Sequence, residues 1–166
     1  GLGHQDPLIR EGVATVLGHI GDSQAIKPLI EHLADKNSDV RYAVSLSLEK
    51  LNWKPESVVQ KATYCVAQRD WGTCATLGDD AVKALQLPLT DDSIEIRTSA
   101  AKTLGLLGWS PQTEAEKGMF CVAKQSWSEC VALGEVAIPH LVHALQYSNM
   151  QTQLLIVRSL KQINSP

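Results

Sequence analysis

Three segments of the chain, LIREGVATVL (8–17), DVRYAVSLSL (39–48) and EIRTSAAKTL (95–104), repeat one pattern of apolar residues around an arginine. A fourth segment, QTQLLIVRSL (151–160), keeps the apolar pattern but has Gln153 at the arginine position. The apolar residues recur at intervals of four, four and three, which places them on one face of an α-helix. We therefore predict that each segment forms the first helix, helix A, of a structural repeat. The predicted buried sets are Ile9, Val13, Leu17 and Ile20; Val40, Val44, Leu48 and Leu51; Ile96, Ala100, Leu104 and Leu107; and Thr152, Ile156, Leu160 and Ile163.

A second apolar set follows each of three copies and predicts a second helix, helix B. Its members are Ala25, Ile26, Leu29 and Leu33; Ala81, Val82, Leu85 and Leu89; and Ala137, Ile138, Leu141 and Leu145. No segment shows the strict alternation of apolar and polar residues that is typical of a half-buried strand. The sequence therefore predicts an all-α fold.

Residues at the helix ends support this assignment. Asp6 suits an N-cap position and Pro7 a first helical turn. Glycine and asparagine tolerate the left-handed conformation that often ends a helix. They occupy the position after helix A in all four copies, namely Gly21, Asn52, Gly108 and Asn164. We expect Pro88 to end or kink the second helix B.

Two copies of a 25-residue insertion separate helix A from helix B in the second and third repeats. The insertions, residues 53–77 and 109–133, are identical at nine of 25 positions. Each predicts a helical hairpin that begins at a proline and has a short second helix carrying a tryptophan. The corresponding residues are Pro55 and Pro111 at the helix starts, Ser110 as an N-cap, Gln68 and Lys124 at the first helix ends, and Trp71 and Trp127 in the second helices.

The repeat resembles the HEAT repeat. The resemblance rests on Asp39-Val40-Arg41 at a helix start and on Leu17-Gly18 and Leu104-Gly105 near helix ends. The closest variety is the short bacterial and archaeal repeat named after phycobilisome lyases. It implies a right-handed α-solenoid, a HEAT/armadillo-like superhelix of stacked antiparallel helix pairs with the B helices on the concave side. It also implies that Arg10, Arg41 and Arg97 belong to a polar ladder between neighbouring repeats.

We expect one repeat domain over residues 1–166. The predicted parts are repeat 1 (6–34), repeat 2 (37–90, insertion 53–77), repeat 3 (93–147, insertion 109–133) and a half repeat (149–164). Leu2 occupies the register of Leu33, the last buried residue of a helix B. For that reason we expect the chain to be a piece of a longer protein.

Composition narrows the possible functions. A net charge of −3 argues against a nucleic-acid partner, because such a surface is normally basic. No apolar run approaches the roughly 20 residues needed to span a bilayer, so we expect no membrane contact. No phosphate-binding loop or catalytic constellation is evident, and we predict neither an enzyme nor a bound cofactor. Four cysteines are too few for a disulfide scaffold, which favours a cytoplasmic location.

The cysteines form two equivalent pairs, Cys65 with Cys74 and Cys121 with Cys130. Buried cysteine packs as a small apolar residue, and we favour that role. A disulfide or redox-active pair and a soft-metal site are the alternatives, although the spacing matches no common zinc pattern.

Other candidate residues also have structural interpretations. His140 and His143 lie three apart on the third helix B, and we expect them to face solvent or a partner rather than a metal. The repetition of the tryptophans favours packing over a ligand cage. Their positions are Trp53, Trp71, Trp109 and Trp127.

Stacked repeats present a long preformed surface suited to an extended partner. We therefore predict a non-catalytic scaffold or adaptor that binds another protein or peptide. The candidate contacts on the outward face of the B helices are Lys27, Glu31, Lys83, Leu87 and His143. One alternative is a bilin lyase-like or chaperone-like subunit that holds a chromophore or client protein. The other is a thiol-based sensor that uses the two cysteine pairs.

Overall fold

The computed structural model describes residues 1–164, and all regular secondary structure in that range is helical. The α-helices are α1 (Pro7–Ile20), α2 (Ile26–Glu31), α3 (Ser38–Lys50), α4 (Val58–Ala67), α5 (Trp71–Thr76), α6 (Val82–Gln86), α7 (Ile94–Leu106), α8 (Glu114–Ala123), α9 (Trp127–Leu133), α10 (Ile138–Gln146) and α11 (Met150–Ile163). Helices α1, α3, α7 and α11 are the A helices, and α2, α6 and α10 are the B helices. The α4–α5 and α8–α9 pairs are the inserted hairpins, so the all-α prediction is confirmed for the described residues.

The chain divides into two compact units, one comprising Gly1–Leu87 and the other beginning at Pro88. In the first unit α3 is central, because α1, α2 and α4 all pack against it. Its apolar residues Val40, Val44 and Leu48 are fully buried together with Leu29 of α2. A buried leucine stabilises the fold by about 2 kcal/mol relative to an exposed one. The continuity of one repeat domain over both units stays a prediction.

Helices α1 and α3 approach each other closely through small residues. A Cβ atom on Gly18 would lie 2.6 Å from the Ser47 hydroxyl oxygen, and that hydroxyl donates a hydrogen bond to the Ala14 carbonyl at 2.8 Å. The buried face of α1 therefore consists of Arg10, Ala14 and Gly18.

This close approach corrects the predicted buried set of the first copy. Ile9 and Ile20 are 43% and 66% exposed, because the face of α1 that contacts α3 lies on one side of the predicted apolar stripe. The prediction of their burial was wrong. In the second and third copies the equivalent residues are buried or half-buried.

In the second unit the inserted hairpin supplies packing partners for both A helices. Helix α7 contacts α8, whereas α11 contacts α9 and α10. The core of this unit includes Cys121, Val122, Leu141, Ala144 and Ile156.

The inserted helices begin later than predicted. Their N-caps are Ser57 and Thr113, two residues after Pro55 and Pro111, so the placement of the prolines at the helix starts and of Ser110 as the cap was wrong. Thr113 forms a capping box in which the Glu116 side chain accepts a hydrogen bond from the Thr113 backbone. These reciprocal hydrogen bonds give side-chain partners to backbone N–H groups that would lack them if the helix began at the proline.

The other helix ends largely follow the sequence. Asp6 caps α1 and Pro7 lies in its first turn, as predicted. The left-handed conformation occurs at Gly21, Asn52 and Gly108, but the φ angle of Asn164 is −92°, so that part of the prediction was wrong. Helix α6 ends at Gln86, which confirms the expected stop before Pro88.

Candidate functional site

The predicted B-helix residues lie on two separate units. Lys27 and Glu31 are exposed one turn apart on α2, and Lys83 is exposed on α6. Leu87 follows the end of α6 and is 37% exposed. His143, in the second unit, is half-buried on α10. Its Nε2 atom lies 3.4 Å from a carboxylate oxygen of Asp92, and its ring contacts Tyr147.

A concave site that the sequence analysis did not identify lies between α1 and α3. This first groove has a volume of about 280 Å³. It is lined by Glu11, Thr15, Asp39, Tyr42, Ala43, Leu46, Ser47, Lys50 and Arg69. Tyr42 and Leu46 are 40% and 38% exposed, so the groove offers apolar surface to a ligand.

Arg69 reaches the first groove from the turn between α4 and α5. Its guanidinium donates a hydrogen bond of 2.7 Å to Asp39 and lies 5.1 Å from the centre of the Tyr42 ring. The φ angle of Arg69 is +61°, a conformation that costs a residue with a Cβ atom about 1–2 kcal/mol. The turn thus holds Arg69 in an unfavourable backbone conformation at a position where its side chain lines the groove.

Two further contacts fix this turn. The Asp70 side chain accepts a hydrogen bond from the Thr73 amide at 3.0 Å and so caps α5. Hydrogen bonds from Thr73 lower the pKa of Asp70. The Asp70 amide in turn donates to the Cys65 carbonyl at 2.9 Å, which ties the end of α4 to the start of α5.

The second unit contains a groove on the corresponding face of its first A helix, but with the following A helix rather than the preceding one as its other wall. This second groove, of about 390 Å³, lies between α7 and α11. It is lined by Ile94, Glu95, Thr98, Ser99, Lys102, Gln125, Asn149 and Thr152. Thr98 and Gln125 stand 56 residues after Tyr42 and Arg69, and the Gln125 amide donates to the Thr98 hydroxyl at 3.3 Å. The second groove thus replaces an aromatic–cation pair by two small polar side chains.

The repeated arginines brace the turns that lead into the A helices. Arg10, Arg41 and Arg97 are buried, and the Nη1 of each donates to the carbonyl groups five and six residues before it. The accepting carbonyls are those of His4 and Gln5 (both 2.8 Å), Asp35 and Lys36 (2.8 and 3.1 Å), and Asp91 and Asp92 (2.5 and 3.0 Å). Gln153 donates instead to the Leu145 carbonyl at 3.1 Å.

Arg10 also binds the next inter-repeat turn. Its Nε and Nη2 atoms donate to the two carboxylate oxygens of Asp35, and both distances are 2.7 Å. The hydrogen bond to Asp35 raises the pKa of Arg10. Burial opposes ionisation of Asp35, but hydrogen bonds from Arg10 and the Asn37 amide outweigh it and lower the pKa of Asp35.

The repeated aromatic residues pack within the hairpins. The rings of Trp53 and Tyr64 meet edge to face at 5.5 Å, and those of Trp109 and Phe120 do so at 5.2 Å. Trp53 is buried, whereas Trp71, Trp109 and Trp127 are half-buried.

The second hairpin pairs a glycine with a large residue of helix B. A Cβ atom on Gly118 would lie 2.7 Å from the His140 ring and 2.9 Å from the Val136 carbonyl oxygen. The corresponding residues of the first unit are Ala62 and Ala84.

Burial, together with the charge of nearby His143, lowers the pKa of His140. No group of three or more potential metal-binding side chains occurs among residues 1–164.

The first cysteine pair is bonded. Cys65 on α4 and Cys74 on α5 form a disulfide with a Cα–Cα distance of 5.8 Å. Both residues are buried, but the favoured role of unbonded cysteines packed in the core was wrong for this pair, and the disulfide alternative is correct. Disulfides are rare in cytosolic proteins of mesophiles, so this bond does not favour the predicted cytoplasmic location.

The second pair consists of free thiols in contact. Cys121 and Cys130 are buried, and the Cys130 thiol donates a hydrogen bond to the Cys121 sulfur at 2.6 Å. This hydrogen bond lowers the pKa of Cys121 and raises that of Cys130. Cys121 is therefore the more readily ionised thiol of the two.

Within residues 1–164, the helices are all too short or too polar to cross a lipid bilayer. No curated protein and no solved structure gives a match to the chain. Residues 1–71, which span the first repeat, the second helix A and the first inserted helix, match the family model for HEAT repeats. The predicted HEAT repeats are thus confirmed for residues 1–71, whereas the phycobilisome-lyase subtype stays a prediction.

Proposed function

We propose that this protein is a non-catalytic binding module that recognises a segment of another protein in the first groove. The observation that carries the proposal is the exposed Tyr42 ring beneath the Arg69 guanidinium, in a concavity between two helices. Tyrosine and arginine are enriched among the residues that dominate protein-binding energies. Leu46 adds an apolar contact beside them.

The walls of the groove favour a preformed site. Helices α1 and α3 touch through Gly18 and Ser47, so their separation cannot decrease without a clash. Arg69 is held by Asp39 and by its turn before any ligand arrives. A preformed site loses little conformational entropy on binding, which supports useful affinity from a small contact area.

The charges in the groove favour a polypeptide over a nucleic acid. Glu11 and Asp39 line it together with Lys50 and Arg69, so phosphate groups would meet two carboxylates. A suitable ligand places an apolar side chain against Tyr42 and Leu46 and polar groups on either side.

The wider prediction of an adaptor built as a right-handed solenoid is part of this proposal, supported by the HEAT match over residues 1–71. The B-helix residues Lys27, Glu31, Lys83, Leu87 and His143 form the second candidate surface. A bilin lyase-like or chaperone-like role and a cytoplasmic location stay predictions.

A peptide selection tests the proposal. Random peptides displayed on phage are selected on the immobilised chain, and the dissociation constant of the best peptide is measured by fluorescence anisotropy. We expect Tyr42→Ala to weaken binding at least about tenfold, a typical loss for an aromatic anchor. Arg69→Gln, which introduces the residue of the second groove, is expected to weaken binding as well.

Thr98→Ala is the matched control, because Thr98 occupies the equivalent position of the second groove. It is expected to leave the affinity within about twofold, as do most peripheral substitutions. A Lys27→Ala/Lys83→Ala variant tests the B-helix surface. Loss of binding in that variant with retention in Tyr42→Ala would contradict the groove proposal, as would a library that yields no binder. Circular dichroism of each variant checks that it is folded.

A further inference from the structure

The two inserted hairpins place their cysteines in the same way. Cys65 and Cys121 lie on the first helix of their hairpins, and Cys74 and Cys130 lie on the second, nine residues later. The first pair is a disulfide, whereas the second pair has its sulfur atoms 2.6 Å apart without a bond.

The backbone around both pairs is equivalent as well. The amide five residues after the first cysteine donates to that cysteine's carbonyl at 2.9 Å in each hairpin, from Asp70 to Cys65 and from Ser126 to Cys121. The preceding residue has a φ angle of +61° in one turn and +58° in the other. A hairpin with this backbone accommodates the bond in the first unit, so the second needs no backbone rearrangement to form it.

One of the two free thiols belongs to a residue that lines a pocket. The pocket, of about 290 Å³, is lined by Pro111, Lys117, Phe120, Cys121, Glu129, Ala132 and Leu133. Cys121 forms part of its wall and Cys130 does not. Cys121 is also the thiol that accepts the hydrogen bond from its neighbour, which favours its thiolate form.

We propose that Cys121 and Cys130 form a dithiol oxidation site that a small disulfide of the glutathione type enters through the pocket beside Cys121. This site is independent of the first groove and of the proposed protein-binding function. Oxidation of this site would give the chain a second disulfide, in addition to the one in the first hairpin.

The reaction is two successive thiol–disulfide exchanges. The Cys121 thiolate attacks one sulfur of oxidised glutathione, one glutathione thiolate leaves, and a mixed disulfide forms on Cys121. Cys130 then loses its proton and attacks the Cys121 sulfur, which releases the second glutathione. In sum, the two cysteines lose two electrons and two protons, and oxidised glutathione becomes two glutathione thiols.

The bond would join helices that pack against different partners. Helix α8 contacts α7 and α10, whereas α9 contacts α11. A covalent link between α8 and α9 therefore restrains the packing of both A helices in the second unit. We expect the oxidised chain to unfold at a higher temperature than the reduced one.

Peptide mapping of the folded chain tests this site. The chain is equilibrated with oxidised glutathione, its remaining thiols are alkylated, and it is digested with trypsin without reduction. Cleavage after Lys117, Lys124 and Arg158 separates the cysteines into peptides 118–124 and 125–158. We expect these two peptides to appear joined by a disulfide, without retained glutathione. Persistently free thiols, glutathione retained on Cys121, or a link between the two hairpins would overturn the proposal.

Single variants test which thiol reacts first. In Cys130→Ser we expect glutathione to accumulate on peptide 118–124. In Cys121→Ser we expect modification of Cys130 to be at least about tenfold slower, because that thiol is buried away from the pocket and less ionised. Equal rates in the two variants would contradict entry beside Cys121. Both variants are also unfolded in guanidinium chloride, where the rates should converge if the difference arises from the fold.

Discussion

The Arg10 guanidinium and the Asp35 carboxylate, 25 residues apart, form two parallel hydrogen bonds of 2.7 Å each. Both side chains are more than nine-tenths buried. The pair joins helix α1 to the turn that precedes α3, and so links two successive repeats of the first unit. Its contribution to the free energy of unfolding can be compared with that of the exposed ion pair between Asp39 and Arg69.

Replacing Asp35 by asparagine should destabilise the first unit substantially. The change keeps the side-chain shape but leaves the buried Arg10 charge without its counterion, and such losses cost about 3 kcal/mol. Urea unfolding at pH 7 measures the effect. Asp39→Asn is the control, because its pair with Arg69 is solvent-exposed and such pairs contribute at most about 1 kcal/mol. Equal losses in the two variants would contradict the role assigned to Asp35.

The contribution of Asp35 should depend on pH in a defined direction. Its pKa is lower in the folded than in the unfolded chain, where it is about 3.9. The folded state is therefore stabilised fully above that value, and the stabilisation disappears as the pH falls through the lower folded pKa. The stability difference between the wild-type chain and Asp35→Asn should be constant near neutral pH and shrink below about pH 4. A difference that persists to pH 2, or that fades already at pH 6, would be inconsistent with this ion pair.

A double-mutant cycle tests the contact between Gly118 and His140. An added methyl group on Gly118 would meet the His140 ring and the Val136 carbonyl, so we expect Gly118→Ala to cost about 1–3 kcal/mol despite the higher helix propensity of alanine. His140→Ala recreates the alanine pair of the first unit, formed by Ala62 and Ala84. It should relieve part of the clash, because the carbonyl contact remains. Unfolding free energies of the double variant that equal the sum of the single effects would argue against the contact.

The disulfide of the first hairpin should stabilise the folded state, because the loop that it closes restricts the conformations of the unfolded chain. For a loop of about ten residues, the entropy model gives about 2.7 kcal/mol. We expect Cys65→Ala/Cys74→Ala to lose roughly this free energy of unfolding, and we expect dithiothreitol to destabilise the wild-type chain to a similar degree. The variant itself should be insensitive to dithiothreitol while Cys121 and Cys130 remain reduced. An unchanged wild-type stability in dithiothreitol would contradict a bonded first pair.

The helices could be predicted from the sequence because apolar spacing and end residues agree. The A helices follow the four, four and three pattern, the B helices follow their own repeated apolar set, and Gly21 and Gly108 end two of the A helices as expected. The pattern failed for Ile9 and Ile20, because small residues decide which face of α1 meets α3. The spacing of large apolar residues does not predict a packing surface formed by the small residues Ala14 and Gly18.

The first groove could not be predicted from that pattern. Tyr42 and Arg69 are 27 residues apart in the chain and belong to different helical elements. The contact between them depends on the turn between α4 and α5. In that turn Arg69 adopts a left-handed backbone conformation, which is uncommon for arginine. One signal was available: the substitution of Tyr42 and Arg69 by Thr98 and Gln125 at matched positions of the repeat. Positions that differ between otherwise similar copies are candidates for a function found in one copy alone.

Hydrogen–deuterium exchange with the selected peptide shows whether the peptide occupies the first groove. If the peptide binds the first groove, amides of α1, α3 and the α4–α5 turn exchange more slowly in the complex, because binding suppresses their local opening. We expect protection in those segments and unchanged exchange in α7 and α11. Protection concentrated in α2 and α6, or in the second unit, would contradict it.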